Sequence, residues 1–572
     1  MAQILLSPGT LARENDSSQV TSGPIQAGAA LVGPTVKGKV NIPTVVTTYS
    51  EYLSKFGSTF TSGSDTYTFL TSIAANNYFQ NGGDSLLVTR VQTGSFTPAT
   101  STTISALLHA DSSSFVLETL GEGTGMNSSS SLSPSGALDS GSDDNLRWEI
   151  ASPNTSSGVF SVLIRKGNDT AKAKSVLETF TNVSLDPKSP NYVARIIGNQ
   201  VVKQRGSGTD VYLQTTGSYP NGSRYVRVKS VTLKTPDYLD NGGIAKAQYT
   251  QSIPIVQSGS FNSATGEIAP ANATYYENIS NTNTQGLTGA NYEMAFNLLA
   301  NKDEFQFNSI AAPGLIHENG DHATSLNILI SNIENRGDAL IPLDLVGYAS
   351  TITVVTTKAA SVDSSYAASY WPWLQTIDPD SQNLVWVPAS TLMLGVYSYS
   401  DKAGEPWFAP AGMSRGGMSS VTQAERKLTQ PNRDTLYVGK VNPIGTFPGK
   451  GVVVFGQKTL QTNKSATDRV NVRKLLIELK SYISQIGDTL VFEGNTVALR
   501  NSFLADVNPY LDNVQQRRGL YAYQVVMDDS NNTSDLIDRN QLLGSIWLKP
   551  TKTAEFVYLD FNILPTGTLF PS

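Results

Sequence analysis

Hydrophobic and polar positions along the chain follow two periods, and the blocks in which each prevails define its organisation. Near the start, Ala29 to Gly33 and Val45 to Thr47 are short apolar runs of strand type. Between them and the next strand, Tyr67, Leu70, Ile73, Ala74 and Tyr78 recur at near-helical spacing over Tyr67 to Phe79, and Asn81-Gly82-Gly83 supplies a C-terminal stop. Leu86 to Val91 reads as a buried strand, so the order predicts a β-α-β unit. From about 96 to 285 the pattern changes to short alternating segments between Ser, Gly and Asn clusters, such as Val159 to Arg165 and Arg224 to Val228, with Ser128 to Asp144 as a low-complexity loop. This texture predicts an inserted all-β domain placed outward, where insertions are tolerated.

Helix and strand signals alternate again from about 286 to 430. Tyr292 to Leu299 and Ser325 to Arg336 have helical spacing, and Phe307 to Ala312 and Ala339 to Asp344 read as strands. The clearest helix lies between Thr467 and Ile486, where Val472, Leu475, Leu476, Leu479, Tyr482, Ile483 and Ile486 form one stripe. The final pattern has period two. Val557, Leu559, Phe561 and Ile563 share one face of a strand beginning at Glu555, and Phe556, Tyr558, Asp560 and Asn562 share the other. A strand this apolar with no following partner is expected to pair within its fold or with another copy of the chain.

Composition narrows the class. Charged residues make up 15% of the 572, below the roughly 25% of an average soluble protein, and uncharged polar residues fill the gap. A net charge of -6 provides no global basic field for nucleic acid or anionic membrane. The absence of cysteine excludes disulfides, thiol catalysis and Cys-based metal sites. Met1 to Gly9 lacks the basic and apolar regions of a signal peptide, and no apolar run approaches the roughly 18 residues of a membrane span, so a cytoplasmic product without an anchor is expected.

Three enzyme-like motifs fail on mechanical grounds. Gly33-Pro34-Thr35-Val36-Lys37-Gly38-Lys39 has phosphate-loop spacing, but Val40 stands where a hydroxyl must meet magnesium, and Asn41-Ile42-Pro43 cannot open the required helix. Gly412-Met413-Ser414-Arg415-Gly416 matches a nucleophile elbow, yet His109, His317 and His322 all lie upstream of the serine. His317-Glu318-Asn319-Gly320-Asp321-His322 is one residue too long for a helix-borne zinc site, and Gly320 favours a polar surface loop, with a structural divalent ion as the alternative. Asp528-Asp529-Ser530-Asn531-Asn532 lacks the glycine and terminal glutamate of a calcium loop and reads as a turn or Asx cap. One charge pattern stands out. Between Lys458 and Lys480 six basic residues face two acidic ones, which suggests either a solvated helix face or a surface for an acidic partner.

Ordered short motifs carry a resemblance over the first 95 and last 290 positions. Leu6-Ser7-Pro8-Gly9, Lys55-Phe56-Gly57 and Tyr78-Phe79-Gln80-Asn81-Gly82-Gly83 are followed by Tyr370-Trp371-Pro372-Trp373, Val387-Pro388-Ala389-Ser390, Gly456-Gln457-Lys458-Thr459-Leu460, Phe492-Glu493-Gly494-Asn495 and Asn531-Asn532-Thr533. In this order they resemble the tail sheath proteins of contractile-tailed bacteriophages. The inserted middle matches only patchily, as at Val176 to Phe180 and Leu185-Asp186-Pro187.

The resemblance implies a multidomain α/β (mixed α+β) fold. Its expected divisions are an N-terminal arm (1–25), an N-terminal part of the sheath core (26–95), the inserted β-rich outer domain (96–285), a middle α/β domain (286–430), a C-terminal inner domain (431–554) and a C-terminal strand arm (555–572). It further implies a structural subunit without enzymatic activity or cofactor. Such a subunit polymerises around a tail tube in a metastable extended state, then contracts to drive the tube through the host envelope and deliver the genome. Implied partners are further copies of the chain, the tail tube protein, and baseplate and tail terminator proteins, with no direct nucleic-acid contact and no membrane insertion. The implied setting is the virion, after assembly in the host cytoplasm.

In such proteins both arms add strands to neighbouring subunits. Ile4, Leu5 and Leu6 and Val557, Leu559, Phe561 and Ile563 are the corresponding positions here, with Arg469, Arg473, Lys474 and Lys480 as candidates to face the tube. The alternatives are the sheath of an extracellular contractile injection particle and, from the Ser/Thr-rich middle alone, a virion-associated polysaccharide-degrading enzyme.

Overall fold

The computed structural model describes residues 25–62, 65–107, 109, 111–268 and 279–556. The β-α-β unit expected near the start is present. Strand Ala29–Gly33 runs parallel to Leu86–Arg90 in the register Ala29↔Leu86, and helix Leu70–Gln80 makes the crossover. Every residue of both strands is buried, which accounts for their unbroken apolar runs. Tyr67 lies outside the helix, in a hairpin of Thr59–Ser62 with Asp65–Thr68.

The sheet is completed by Thr44–Val46 on one side and by Ile310–Ala311, paired in parallel with Ala30 and Leu31, on the other. Chain from beyond the insertion thus closes the N-terminal sheet. Its neighbour Phe305–Gln306 pairs in parallel with Ile25–Gln26, so of the run read as one strand over Phe307 to Ala312 only Ile310–Ala311 is strand, and a second short strand lies just before the run.

The insertion builds a seven-stranded antiparallel sheet around its own core, in which Phe115, Trp148, Phe160 and Phe261 are buried. It is not purely β: Val193–Ile197 is a short helix packed into that core. Nor is it free of the rest, because the hairpin Val201–Ser207 with Asp210–Thr216 sends Val211 and Leu213 against the main core. The fully buried Arg90 ties the two together. Its guanidinium donates to the carbonyl oxygens of Gly38 at 2.6 Å and of Glu122, at the end of an insertion strand, at 2.9 Å.

A second four-stranded sheet has the order Ile341–Leu343, Ala367–Trp371, Val441–Phe447, Gly451–Val454. Its first three strands are parallel and the last is antiparallel. The division expected at 430/431 therefore cuts through one structural layer and is corrected by this pairing. Pro431 sits in the first turn of helix Gln430–Val438, where a missing N–H has no effect. Asp344 follows the first strand and caps helix Ser390–Ala403 from outside, accepting from the Ser390 amide at 3.0 Å and from its hydroxyl.

Candidate inter-subunit surface

The last described part of the chain is a small helix-sheet unit. Helix Val470–Asp488 packs Leu475 and Leu479 against Phe503, Val507, Leu511 and Val514 of helix Val497–Gln516. Thr496 starts the second helix by accepting from the Leu499 amide at 3.2 Å. Arg518, with φ of 64°, turns the chain into strand Leu520–Val526, which pairs antiparallel with Ser545–Pro550 in the register Tyr523↔Leu548. Among the described residues neither strand has a second neighbour, so each offers one open edge. Leu520 and the half-buried Ile546 and Leu548 face the helices, whereas Tyr521 and Trp547 are more than half exposed. An open-edged pair with exposed aromatics is a template for added strands.

From this sheet the chain crosses back to the middle domain. Residues 551–556 have no regular structure, and Glu555, expected to begin a strand, is held as an anchor. Its carboxylate accepts from Arg469 Nε at 2.8 Å, Tyr437 Oη at 2.5 Å and Gln457 Nε2 at 3.0 Å. Burial alone would push the Glu555 carboxyl up, but these three donors together hold it below the usual carboxylate range.

The basic stripe is not an open positive face. Arg473 and Lys474 are buried: the Arg473 guanidinium lies 4.0 Å from the Tyr366 ring centre and donates to Ser365, and Lys474 pairs with Asp401. Arg469 is half-buried on Glu555 and Asp468. Lys480 is exposed, and its Nζ lies 3.4 Å from Tyr366 Oη. The cause is that the first half of helix Val470–Asp488 is packed on more than one side, so its polar residues find partners inside the molecule. Tyr437 and Gln457, essential to the Glu555 anchor, carry no local sequence signal because their partners lie about a hundred residues away. Ile4, Leu5, Leu6, Val557, Leu559, Phe561 and Ile563 lie outside the described residues.

Residues 285–460 match the phage tail sheath protein central domain, and residues 462–564 match the phage tail sheath C-terminal domain. Over these residues the chain is similar to phage tail sheath proteins. The tail sheath protein of Vibrio phage KVP40 is 34% identical over 241 residues, which is 42% of this chain and 35% of that protein. The tail sheath protein of Enterobacteria phage T4 is 31% identical over 227 residues, 40% of this chain and 34% of that protein. The chain thus matches about a third of the length of these curated relatives. The crystal structure of the sheath tail protein Lin1278 from Listeria innocua has the same fold at 10% identity, with a TM-score of 0.52 over 92% of this chain and 95% of that one.

Within this fold the enzyme-like motifs have structural roles. Gly38 of the phosphate-loop-like segment adopts φ of 108° and presents its carbonyl to Arg90, and the next element is strand Thr44–Val46, not a helix opening at the loop. Ser414 is exposed in a turn, without the strand-to-helix geometry of an elbow. The histidine segment departs from the expected surface loop. Gly320 opens helix Gly320–Arg336, and both His317 and His322 are buried, with His322 Nδ1 accepting from the Ile316 amide at 3.2 Å. Burial lowers the pKa of both rings, which favours the neutral form. Among the described residues no group of three or more His, Cys, Asp or Glu could hold a metal. Asp528 forms the expected Asx turn, accepting from the Ser530 amide at 2.8 Å.

Proposed function

We propose that the chain is a sheath subunit of a contractile tail, assembling with copies of itself around a tail tube and contracting to drive that tube through the host envelope. The observation that carries this reading is the open-edged pair Leu520–Val526 and Ser545–Pro550, within the C-terminal sheath domain and directly upstream of an apolar alternating segment. Strands contributed by the arms of neighbouring copies, at Ile4 to Leu6 and Val557 to Ile563, extend this sheet by main-chain hydrogen bonds. Work is stored in a bistable lattice, so neither nucleotide nor cofactor is consumed, and the subunit is a virion component and not an enzyme.

Baseplate and terminator proteins engage the ends of the polymer, and assembly takes place in the host cytoplasm. Of the four basic candidates, Lys480 retains a free surface for a tube contact worth roughly 0 to 1 kcal/mol, weak enough to release during contraction. Negative-stain microscopy of the protein expressed alone tests the reading. Hollow tubes are expected, and their loss on deleting residues 557–572 is expected with them; stable monomers from the full chain, or unchanged tubes from the truncated one, would count against it.

A further inference from the structure

The loop between the two long C-terminal helices ends in an apolar knob. Phe492 is fully exposed, and Val491 before it and Val497, which opens the next helix, are 58% and 56% exposed. Phe492 also has φ of 71°, a left-handed conformation that a bulky residue rarely adopts. Among the described residues nothing covers this side chain, so no packing there offsets the strain. From Gly487 to Ala498, which spans the loop and the helix ends beside it, the chain carries Asp488 and Glu493, both exposed, and no basic residue.

A groove of about 540 Å³ lies elsewhere on the molecule, where the departing residues 553–556 pass the middle domain. Its apolar lining includes Val438, Phe455 and Phe556, which are 80%, 42% and 67% exposed. Arg415 and Arg433 border it, and neither guanidinium is paired with a carboxylate among the described residues. Arg415 Nε donates to the Ala409 carbonyl at 3.1 Å, and Arg433 lies over the Phe447 and Phe455 rings. Of the carboxylates in the lining, Glu555 is neutralised by Arg469, and Asp434 accepts from Gln430 at 2.9 Å.

We infer that the Val491-Phe492 knob of one subunit seats in the Phe455 groove of a second copy, with Asp488 and Glu493 meeting Arg415 and Arg433. This rests on the sheath reading above, because a helical polymer is built from heterologous contacts in which one patch meets a different patch on the next copy. The knob is acidic and apolar, the groove basic and apolar, and the exposure of Phe492 places it outside its own subunit's groove. The contact is separate from strand addition at the open-edged sheet.

The test compares the full-length protein with Phe492→Ser by sedimentation across a concentration series. Because no described residue covers Phe492, the melting temperature of the variant monomer should equal that of the wild type, while its critical concentration for polymer rises about tenfold. The chain has no cysteine, so Val491→Cys combined with Val438→Cys, with Phe492 kept, should give a ladder of disulfide-linked multimers on oxidation of assembled polymer. Wild-type protein that stays monomeric at every concentration overturns the sheath reading and this contact together. Phe492→Ser polymerising at the wild-type concentration, or polymer of the double-cysteine variant giving no ladder, overturns the contact alone. A Phe492→Ser protein that forms normal empty tubes and fails only on preformed tail tubes assigns the knob to the tube protein and also overturns it.

Discussion

Arg469 and Glu555, 86 residues apart in sequence, meet at 2.8 Å where the chain leaves the C-terminal sheet for the middle domain. With Tyr437 and Gln457 on the same carboxylate, the pair fixes the point from which the following residues depart. Glu555→Ala is therefore expected to loosen residues 551–556 without unfolding the domain, and trypsin cleavage after the exposed Lys552 should become several-fold faster. The pH dependence has a defined sign. A carboxyl whose folded pKa is depressed stabilises the anchored state above its unfolded pKa of about 4.3 and loses that contribution as pH falls through the folded value. Cleavage by an acid-active protease should reveal release of the segment only on the acid side of that range.

Lys474 and Asp401 join the first long C-terminal helix to helix Ser390–Ala403. Removing one partner leaves the other charge in a largely buried place, so Lys474→Ala should destabilise the monomer by about 3 kcal/mol in denaturant unfolding. Lys474→Met with Asp401→Leu should recover much of that loss, since neither charge is then stranded. Reversing Arg473 and Lys474 to Glu is accordingly expected to impair folding before it affects any tube contact, and the monomer melting temperature separates the two.

The elements legible in the sequence were those whose signal is local. The apolar runs of Ala29 to Gly33 and Leu86 to Val91, and the stripe from Val472 through Leu479, identify two buried strands and a helix because burial on those faces dictates residue type directly. Long-range pairing left no such mark. Nothing near Ile310 announces that it pairs with Ala30 across the whole insertion, and nothing near Arg473 announces the Tyr366 ring. The histidine segment misled for a related reason. Gly320 suggested a loop, but His322 is covered by tertiary packing, and that cover, not the local propensity, sets its environment.

Asp344 gives a second pH-dependent expectation, opposite in sign to that of Glu555. Burial raises its carboxyl to about 7, although the Ser390 amide and hydroxyl pull it the other way. A group whose folded pKa lies above its unfolded value of about 3.9 favours the fold when protonated, so this contribution is fully present at low pH and is lost as pH rises toward 7. Asp344→Asn keeps an acceptor for the Ser390 amide and removes the titration. The melting temperature of the variant relative to wild type should climb between pH 4 and pH 7 and level off above; a constant offset would show that Asp344 does not titrate in that window.

Trp547 tests the open-edged sheet most directly. It is 55% exposed on a strand whose partner, Leu520–Val526, has no further neighbour among the described residues. Trp547→Ser should therefore change monomer stability by no more than about 0.5 kcal/mol. If arms of neighbouring copies add strands here, the indole covers part of the incoming segment, and its loss should raise the concentration needed for polymer. A synthetic peptide of residues 555–563 supplied in excess should compete with the arm and suppress assembly, whereas a scrambled peptide of the same composition should not, because strand addition selects for alternation of the two faces. Assembly indifferent to both the substitution and the peptide would place the subunit contacts away from this edge.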